Sequence, residues 1–220
     1  MPIQVLEAQD ADMDRIFAIA CDAFGSNEPL WDVFWPAHWT PAGRQKGGER
    51  MRETRNSDPH TTYMKAVDSS TGTIMGMAKW NVYANNTLPD MGAVEYRQNF
   101  WADDEELAYA TSMTELFVKE RNAAIKQSGG NLVSLDILTI DPAFQRRGVG
   151  AALVQWGTEK ADELGVEAVV ESSVPGKGLY EKNGFVFQRD CVVSVPGKWG
   201  HVEGRFAWLV RPKKGLAEST

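Results

Sequence analysis

The sequence predicts an α/β domain of the α+β kind, a central mixed, twisted sheet of about seven strands with helices on both faces. Short runs of strand character recur at 3–8, 61–68, 73–83, 132–140, 167–172, 185–194 and 202–210, and helical periodicity fills several of the gaps. The run at 132–140 is followed by a loop, a helix at 149–164 and the strand at 167–172. A right-handed crossover of this kind makes those two strands parallel neighbours. Two further pairs of runs, 61–83 and 185–210, have the spacing of antiparallel hairpins.

In order along the chain, Ile3 to Ala8 is a short strand, and Asp10 is expected to cap a helix whose apolar stripe is Met13, Ile16, Phe17 and Ala20. Gly25 to Pro41 is a loop or broken helix that holds Trp31, Phe34, Trp35 and Trp39 among three prolines. Arg44 to Ser57 is a polar helix ended by Asp58-Pro59. A hairpin follows, Thr61 to Asp68 and Thr73 to Tyr83 around a turn at Ser69 to Gly72. Asn85 to Phe100 has no clear period. The carboxylates of Asp103 to Glu106 suit the first turn of a long helix that Gly129-Gly130 stops, with a stripe of Leu107, Ala110, Thr114, Phe117, Val118 and Arg121. Strict alternation at 132–140 places Val133, Leu135 and Ile137 on one face and Leu132, Leu138 and Ile140 on the other. In the next helix Val149, Leu153, Trp156 and Leu164 share a face with Ala152 beside them, and Gly165 is the stop. Pro175 to Asn183 is a shorter helix, and a terminal hairpin turns at Pro196 to Gly200.

With 220 residues, 43% hydrophobic and 24% charged, the chain can bury one substantial core, so residues 1–220 are expected to form a single domain with an insertion at 84–130. A net charge of -7 argues against a nucleic-acid partner and favours cationic substrates through the long-range field. Asp10, Asp12, Asp14 and Asp22 interrupt the first 24 residues, which therefore resemble neither a signal peptide nor a membrane span; a cytoplasmic protein without a membrane partner is the expectation. Cys21 and Cys191 lack metal-ligand spacing and are expected to be reduced core residues, and no metal is expected. The oligomeric state is left open.

The stretch from Asp136 to Ala151 carries the chemistry. An apolar strand ends at Asp141-Pro142, and Gln145-Arg146-Arg147-Gly148-Val149-Gly150-Ala151 then opens a helix. Gly148 and Gly150 allow a ligand close to unpaired N–H groups at the positive end of the helix dipole, and two guanidinium groups stand beside them, a natural seat for a diphosphate. Walker A is excluded because no glycine here precedes Lys-Ser or Lys-Thr, and a dinucleotide turn is excluded because Leu153 occupies its third glycine position. What remains resembles the Gln/Arg-x-x-Gly-x-Gly/Ala signature of the GCN5-related N-acetyltransferase (GNAT) superfamily. Downstream, Leu179-Tyr180-Glu181-Lys182-Asn183-Gly184-Phe185 resembles the Leu-Tyr-x-x-x-Gly-Phe segment of the same superfamily.

That resemblance implies a GNAT fold with a V-shaped split between the strands at 132–140 and 167–172, and acetyl-CoA as co-substrate. The diphosphate is expected on Gln145 to Ala151 and the pantetheine arm along Leu138, Thr139 and Ile140, with Ser173 on the facing wall and an oxyanion-binding N–H at Leu138 or Thr139. Tyr180 matches the tyrosine that protonates the departing thiolate in many members. Asp136, a carboxylate within an apolar strand, and Glu171 on the neighbouring strand are the candidate bases. Trp31, Phe34, Trp35 and Trp39 fall where such enzymes line the acceptor pocket, although these aromatics would also serve to seal the edge of a core. The expected activity is acetyl transfer to the primary amine of a small molecule. A protein or peptide N-acetyltransferase and a non-catalytic acyl-CoA-binding module are the alternatives.

Overall fold

The structure, a computed structural model, describes residues 1–25, 28–86, 88–89, 100–195 and 202–215. Its strands are β1 (Ile3–Glu7), β2 (Thr61–Asp68), β3 (Ile74–Tyr83), β4 (Leu132–Ile140), β5 (Glu167–Ser172), β6 (Val186–Val195) and β7 (Val202–Arg211). They form one sheet in the order β1-β2-β3-β4-β5-β7-β6. Only β4 and β5 are parallel to one another among the paired strands, as the crossover requires. The helices are α1 (Met13–Phe24), α2 (Pro29–Phe34), α3 (Pro41–Ser57), α4 (Asp104–Phe117), α5 (Lys119–Gln127), α6 (Val149–Leu164) and α7 (Lys177–Lys182). The apolar side chains of α6 and α7 cover one face of the sheet, and those of α1 to α5 cover the other.

Several sequence expectations are corrected. Asp10 does not cap α1: it accepts hydrogen bonds from Arg55 and Asn56, while the Gln9 N–H donates to Asp12 at 2.7 Å. The long helix breaks at Val118 into α4 and α5, with Asp103 capping α4 by accepting from the Glu106 N–H at 2.9 Å. In α6 the buried residues are Val149, Leu153, Val154, Gly157, Thr158 and Ala161, whereas Leu164 is 39% exposed and Trp156 only partly covered. The stripe shifts because the Trp80 ring of β3 lies against the helix at Gly157, and a side chain there would occupy the same space. Cys21 is buried but Cys191 is only half-buried, and neither forms a disulfide. The hairpin tip at 196–200, His201 and most of the irregular 85–100 stretch lie outside the described residues.

The correction that matters most is in β4. Lys79 pairs with Ile137 and Trp80 with Leu135, so Asp136 is an extra residue opposite nothing on β3, a β-bulge. The extra residue reverses the alternation beyond it. Val133 and Leu135 face the α6 side, Ile137 joins the α1 side, and Leu138 and Ile140 return to the α6 side. Strict period-two reading placed Ile137 with Val133 and Leu135 and set Leu138 and Ile140 with Leu132, and the bulge reverses all three of these placements.

The Gly157 contact is measurable. A Cβ at 157 would fall 2.3 Å from the buried Trp80 ring. Gly157→Ala is expected to destabilise the fold by about 1–3 kcal/mol in urea unfolding, despite the better helix propensity of alanine.

Candidate active site

β4 and β5 are hydrogen-bonded neighbours only from Leu132/Glu167 to Leu135/Val170. Beyond that rung β4 continues beside β3 to Ile140, while β5 stays with β7, Glu171 opposite Trp208 and Ser172 opposite Ala207. Two strands that each follow their outer neighbour must part, and the sheet opens into a V. The Asp141 N–H donates to Met75 O at 2.9 Å. Antiparallel alternation then turns the backbone groups of Thr139 toward β3 and those of Leu138 and Ile140 into the V. Of the two expected oxyanion donors, geometry therefore favours Leu138.

Above the V the chain turns sharply. Asp141 accepts from the Ala143 N–H at 2.9 Å and from Arg15 at 2.6 Å, which ties the turn to α1. The Gln145 side chain donates to Ile140 O at 3.2 Å and so braces the end of β4. Arg146 has φ 62° and Gly148 φ 86°, two left-handed residues that bring the backbone round to α6. No side chain caps α6, so its first N–H groups stay available to an anion. Arg146 and Arg147 are exposed beside them, Arg147 lying 5.7 Å from the Phe144 ring centroid. A Cβ at Gly150 would approach Leu179 to 3.2 Å, so α7 packs against the start of α6 and the end of β4. The turn thus brings together Gln145 to Ala151, and these residues fit a diphosphate.

Tyr180 is carried on α7, 6% exposed, its ring edge-on to Phe185 at 5.8 Å. Its hydroxyl has no hydrogen-bond partner among the described residues, and burial pushes its pKa above the ordinary phenol value. Ser173 follows β5, and its carbonyl accepts from the Ser172 hydroxyl at 2.7 Å and the Gly176 N–H at 3.0 Å.

The two candidate bases do come together, but with cations between them. Arg121 of α5 donates from Nη1 to Asp136 Oδ1 at 2.6 Å and from Nη2 to Glu171 Oε2 at 2.6 Å. Lys79 donates to Asp136 Oδ2 at 2.6 Å. Two cations and two anions balance, as burial demands. Burial works to raise the Asp136 pKa, but Lys79 and Arg121 outweigh it and hold the carboxyl well below the usual range. For Glu171 burial prevails over Arg121 and pushes the carboxyl up. Their side chains are 19% and 1% exposed. The sequence signal for the missed partners was a lysine within the apolar β3 run and an arginine within the apolar stripe that continues from α4 into α5.

The four aromatic candidates do not form one surface. Trp31 is a core residue packed on Phe24 and Trp35, with centroids 4.6 and 5.3 Å away. Phe34 packs against Phe117 of α4. Trp35 lines a shallow crevice with Phe17, Pro36, Gly43 and Phe100, where the Arg50 guanidinium lies 4.2 Å from its ring. Trp39 is 64% exposed, edge-on to His38. His38 is bound to Asp32 at 2.7 Å, and His60 contacts the Val82 carbonyl at 3.3 Å.

Asp136 also sets an acid limit on stability. A carboxyl whose folded pKa lies below its unfolded value of about 4 stabilises the fold above that pH, and the contribution is lost as pH falls through the folded value. Asp136→Asn is expected to cost about 3 kcal/mol at pH 7 because it leaves two cations short of a partner. The gap between variant and parent, followed by urea unfolding, is expected to shrink below about pH 4.

Comparison with known proteins agrees with this geometry. Residues 97–187 match the family model described as "Acetyltransferase (GNAT) domain", a span that holds the split, the turn and Tyr180. No curated protein matches the chain in sequence. Among solved structures, the Drosophila melanogaster polyamine N-acetyltransferase, which catalyses formation of N-acetylagmatine, superposes with a TM-score of 0.67 at 14% identity, covering 95% of this chain and 99% of that one. A Corynebacterium glutamicum protein described as histone acetyltransferase HPA2 and related acetyltransferase gives 0.59 at 19% identity, covering 99% of both chains. The Sinorhizobium meliloti phosphinothricin acetyltransferase, solved with AcCoA, gives 0.55 at 17% identity, covering 100% and 92%. At these identities the structures speak for the fold. The family match falls on the very residues that form the split and its turn, so this stretch of the chain is similar to the GNAT acetyltransferase domain and the whole chain shares the fold of those solved structures.

Proposed function

We propose that the protein transfers an acetyl group directly from acetyl-CoA to the primary amine of a small molecule. The observation that carries this reading is the parting of β4 and β5 beyond Leu135 and Val170, directly below the anion-binding turn and beside Tyr180. In it, Arg146, Arg147 and the N–H groups from Gly148 to Ala151 hold the diphosphate. The backbone of Leu138 to Ile140 pairs with the amide-rich arm as with an added strand, with Ser173 on the other wall. The Leu138 N–H stabilises the charge that develops on the thioester oxygen.

Acetyl-CoA supplies the thioester: the amine nitrogen bonds to its carbonyl carbon as the carbon–sulfur bond breaks. Tyr180 gives its proton to the departing thiolate; burial keeps the hydroxyl protonated and makes it a weaker acid, so the donation is driven by the thiolate as it leaves. Asp136, held ionised by two cations, is a weak proton acceptor, so the proton of the amine passes through water to Glu171. A small amine is favoured by the -7 net charge, which draws ammonium forms, and by the polyamine and phosphinothricin enzymes among the structural relatives. Trp35 and Phe34, which reach toward the crevice and α4, are the aromatic residues that would meet the acceptor, with Trp39 at its outer rim and Trp31 supporting them from the core.

Mass spectrometry after incubation with acetyl-CoA and a panel of aliphatic and aryl amines, set against lysine and amino-terminal peptides, tests the acceptor class. Acetylation of peptides alone would replace the small-molecule reading. Tyr180→Phe is expected to lower turnover roughly 10²–10⁴-fold with little change in acetyl-CoA affinity. Arg146→Ala and Arg147→Ala are each expected to weaken acetyl-CoA binding about tenfold by calorimetry, with unfolding unchanged, since each would remove a charge-assisted contact from an exposed side chain.

A further inference from the structure

We propose that Arg121 is the positioning residue that holds β4 and β5 apart at the base of the V, so that α5, which lies between β3 and β4 in sequence, sets the seat of the thioester. The inference rests on the placement of acetyl-CoA in the split. The last shared rung is Leu135/Val170, and the next residue on each strand is a carboxylate, Asp136 and Glu171. No further backbone rung forms, and on the face covered by α5 a guanidinium links the two side chains. Its Nη1 takes Asp136, and its Nη2 and Nε take Glu171, with Nε 3.1 Å from Oε1. A planar fork reaching two carboxylates on different strands fixes both their spacing and their angle, which a point-charge ammonium cannot do.

Three further observations make this a built device. Alternation from Leu132 puts Asp136 on the face on which α5 packs, where it meets Arg121, and the bulge keeps Ile137 on that same face beside it. Lys79 completes the charge balance, so the fork can remain buried, 7% exposed, without leaving either carboxylate unpaired. Leu138, whose N–H faces the V, lies only two residues beyond Asp136, so any change in the angle of the split moves that donor. Arg121 meets the candidate base Glu171, but its effect on the seat of the thioester is exerted through the two strands.

The test compares two ligands by calorimetry. Acetyl-CoA spans turn and split, whereas adenosine 3′-phosphate 5′-diphosphate ends at the turn. Arg121→Lys keeps the charge and removes the fork. It is expected to raise the acetyl-CoA Kd about tenfold or more, roughly 1.4 kcal/mol, while the fragment stays within about twofold of the parent. Arg121→Met combined with Glu171→Met removes one charge of each sign, leaves the Lys79–Asp136 pair, and is expected to show the same selective loss. Equal weakening of both ligands would reduce Arg121 to a general structural role and overturn the proposal. Parent-like acetyl-CoA affinity in either folded variant would overturn it as well. A parent protein that binds acetyl-CoA no better than the fragment would instead overturn the placement of the arm in the split, and the proposal with it.

Discussion

Asp136 has no partner across β3, and from that unpaired residue the arrangement of the centre of the sheet follows. The bulge ends the regular alternation of β4 just where a carboxylate faces α5 and Lys79, and it returns Leu138 and Ile140 to the opposite face. At the same level β5 leaves β4 and stays with β7. A sheet interrupted between two parallel strands carries exposed backbone donors and acceptors, which water satisfies at some cost to stability and a ligand strand can satisfy instead. The charged quartet makes the interruption tolerable, since two carboxylates brought side by side in a covered position would repel without Arg121 and Lys79.

The division of labour between the two faces is equally physical. On the α6 face, contacts are close and apolar: Trp80 against Gly157, and Leu179 against Gly150 and Ile140. These fix the helix whose amino end forms the anion turn. On the opposite face, α1 to α5 bring aromatic and charged groups, among them Arg50 stacked on Trp35 and Arg121 between the strands. The co-substrate side of the proposed reaction is thus closely packed, while the acceptor side is assembled from elements far apart in sequence.

Strands, crossover and glycine turn were legible in the sequence because each is local: a period of two, a proline stop, a helix opened by glycines. The ends of β2, β4 and β5 fall where the pattern put them. The bulge was not legible, since one extra residue in an apolar run leaves no mark until the partner strand is known. The fates of Asp136 and Glu171 were hidden for the same reason; a buried carboxylate reads as a candidate base until its cation is seen, and Arg121 and Lys79 are 15 and 57 residues from Asp136. The aromatic segment was legible only as density, because composition cannot separate Trp31, enclosed in the core, from Trp39, turned to solvent.

The strand order has a temporal consequence. β5, one wall of the split, obtains its outer neighbour from β7, the last strand among the described residues, while β6 attaches to the far side of β7. During synthesis the other wall, β4 with β3, and the anion turn can form before β7 has left the ribosome, but β5 would then present a bare edge. The cleft is therefore completed by the final hairpin, and a nascent chain lacking 202–211 would expose a strand edge of the kind that seeds misassembly.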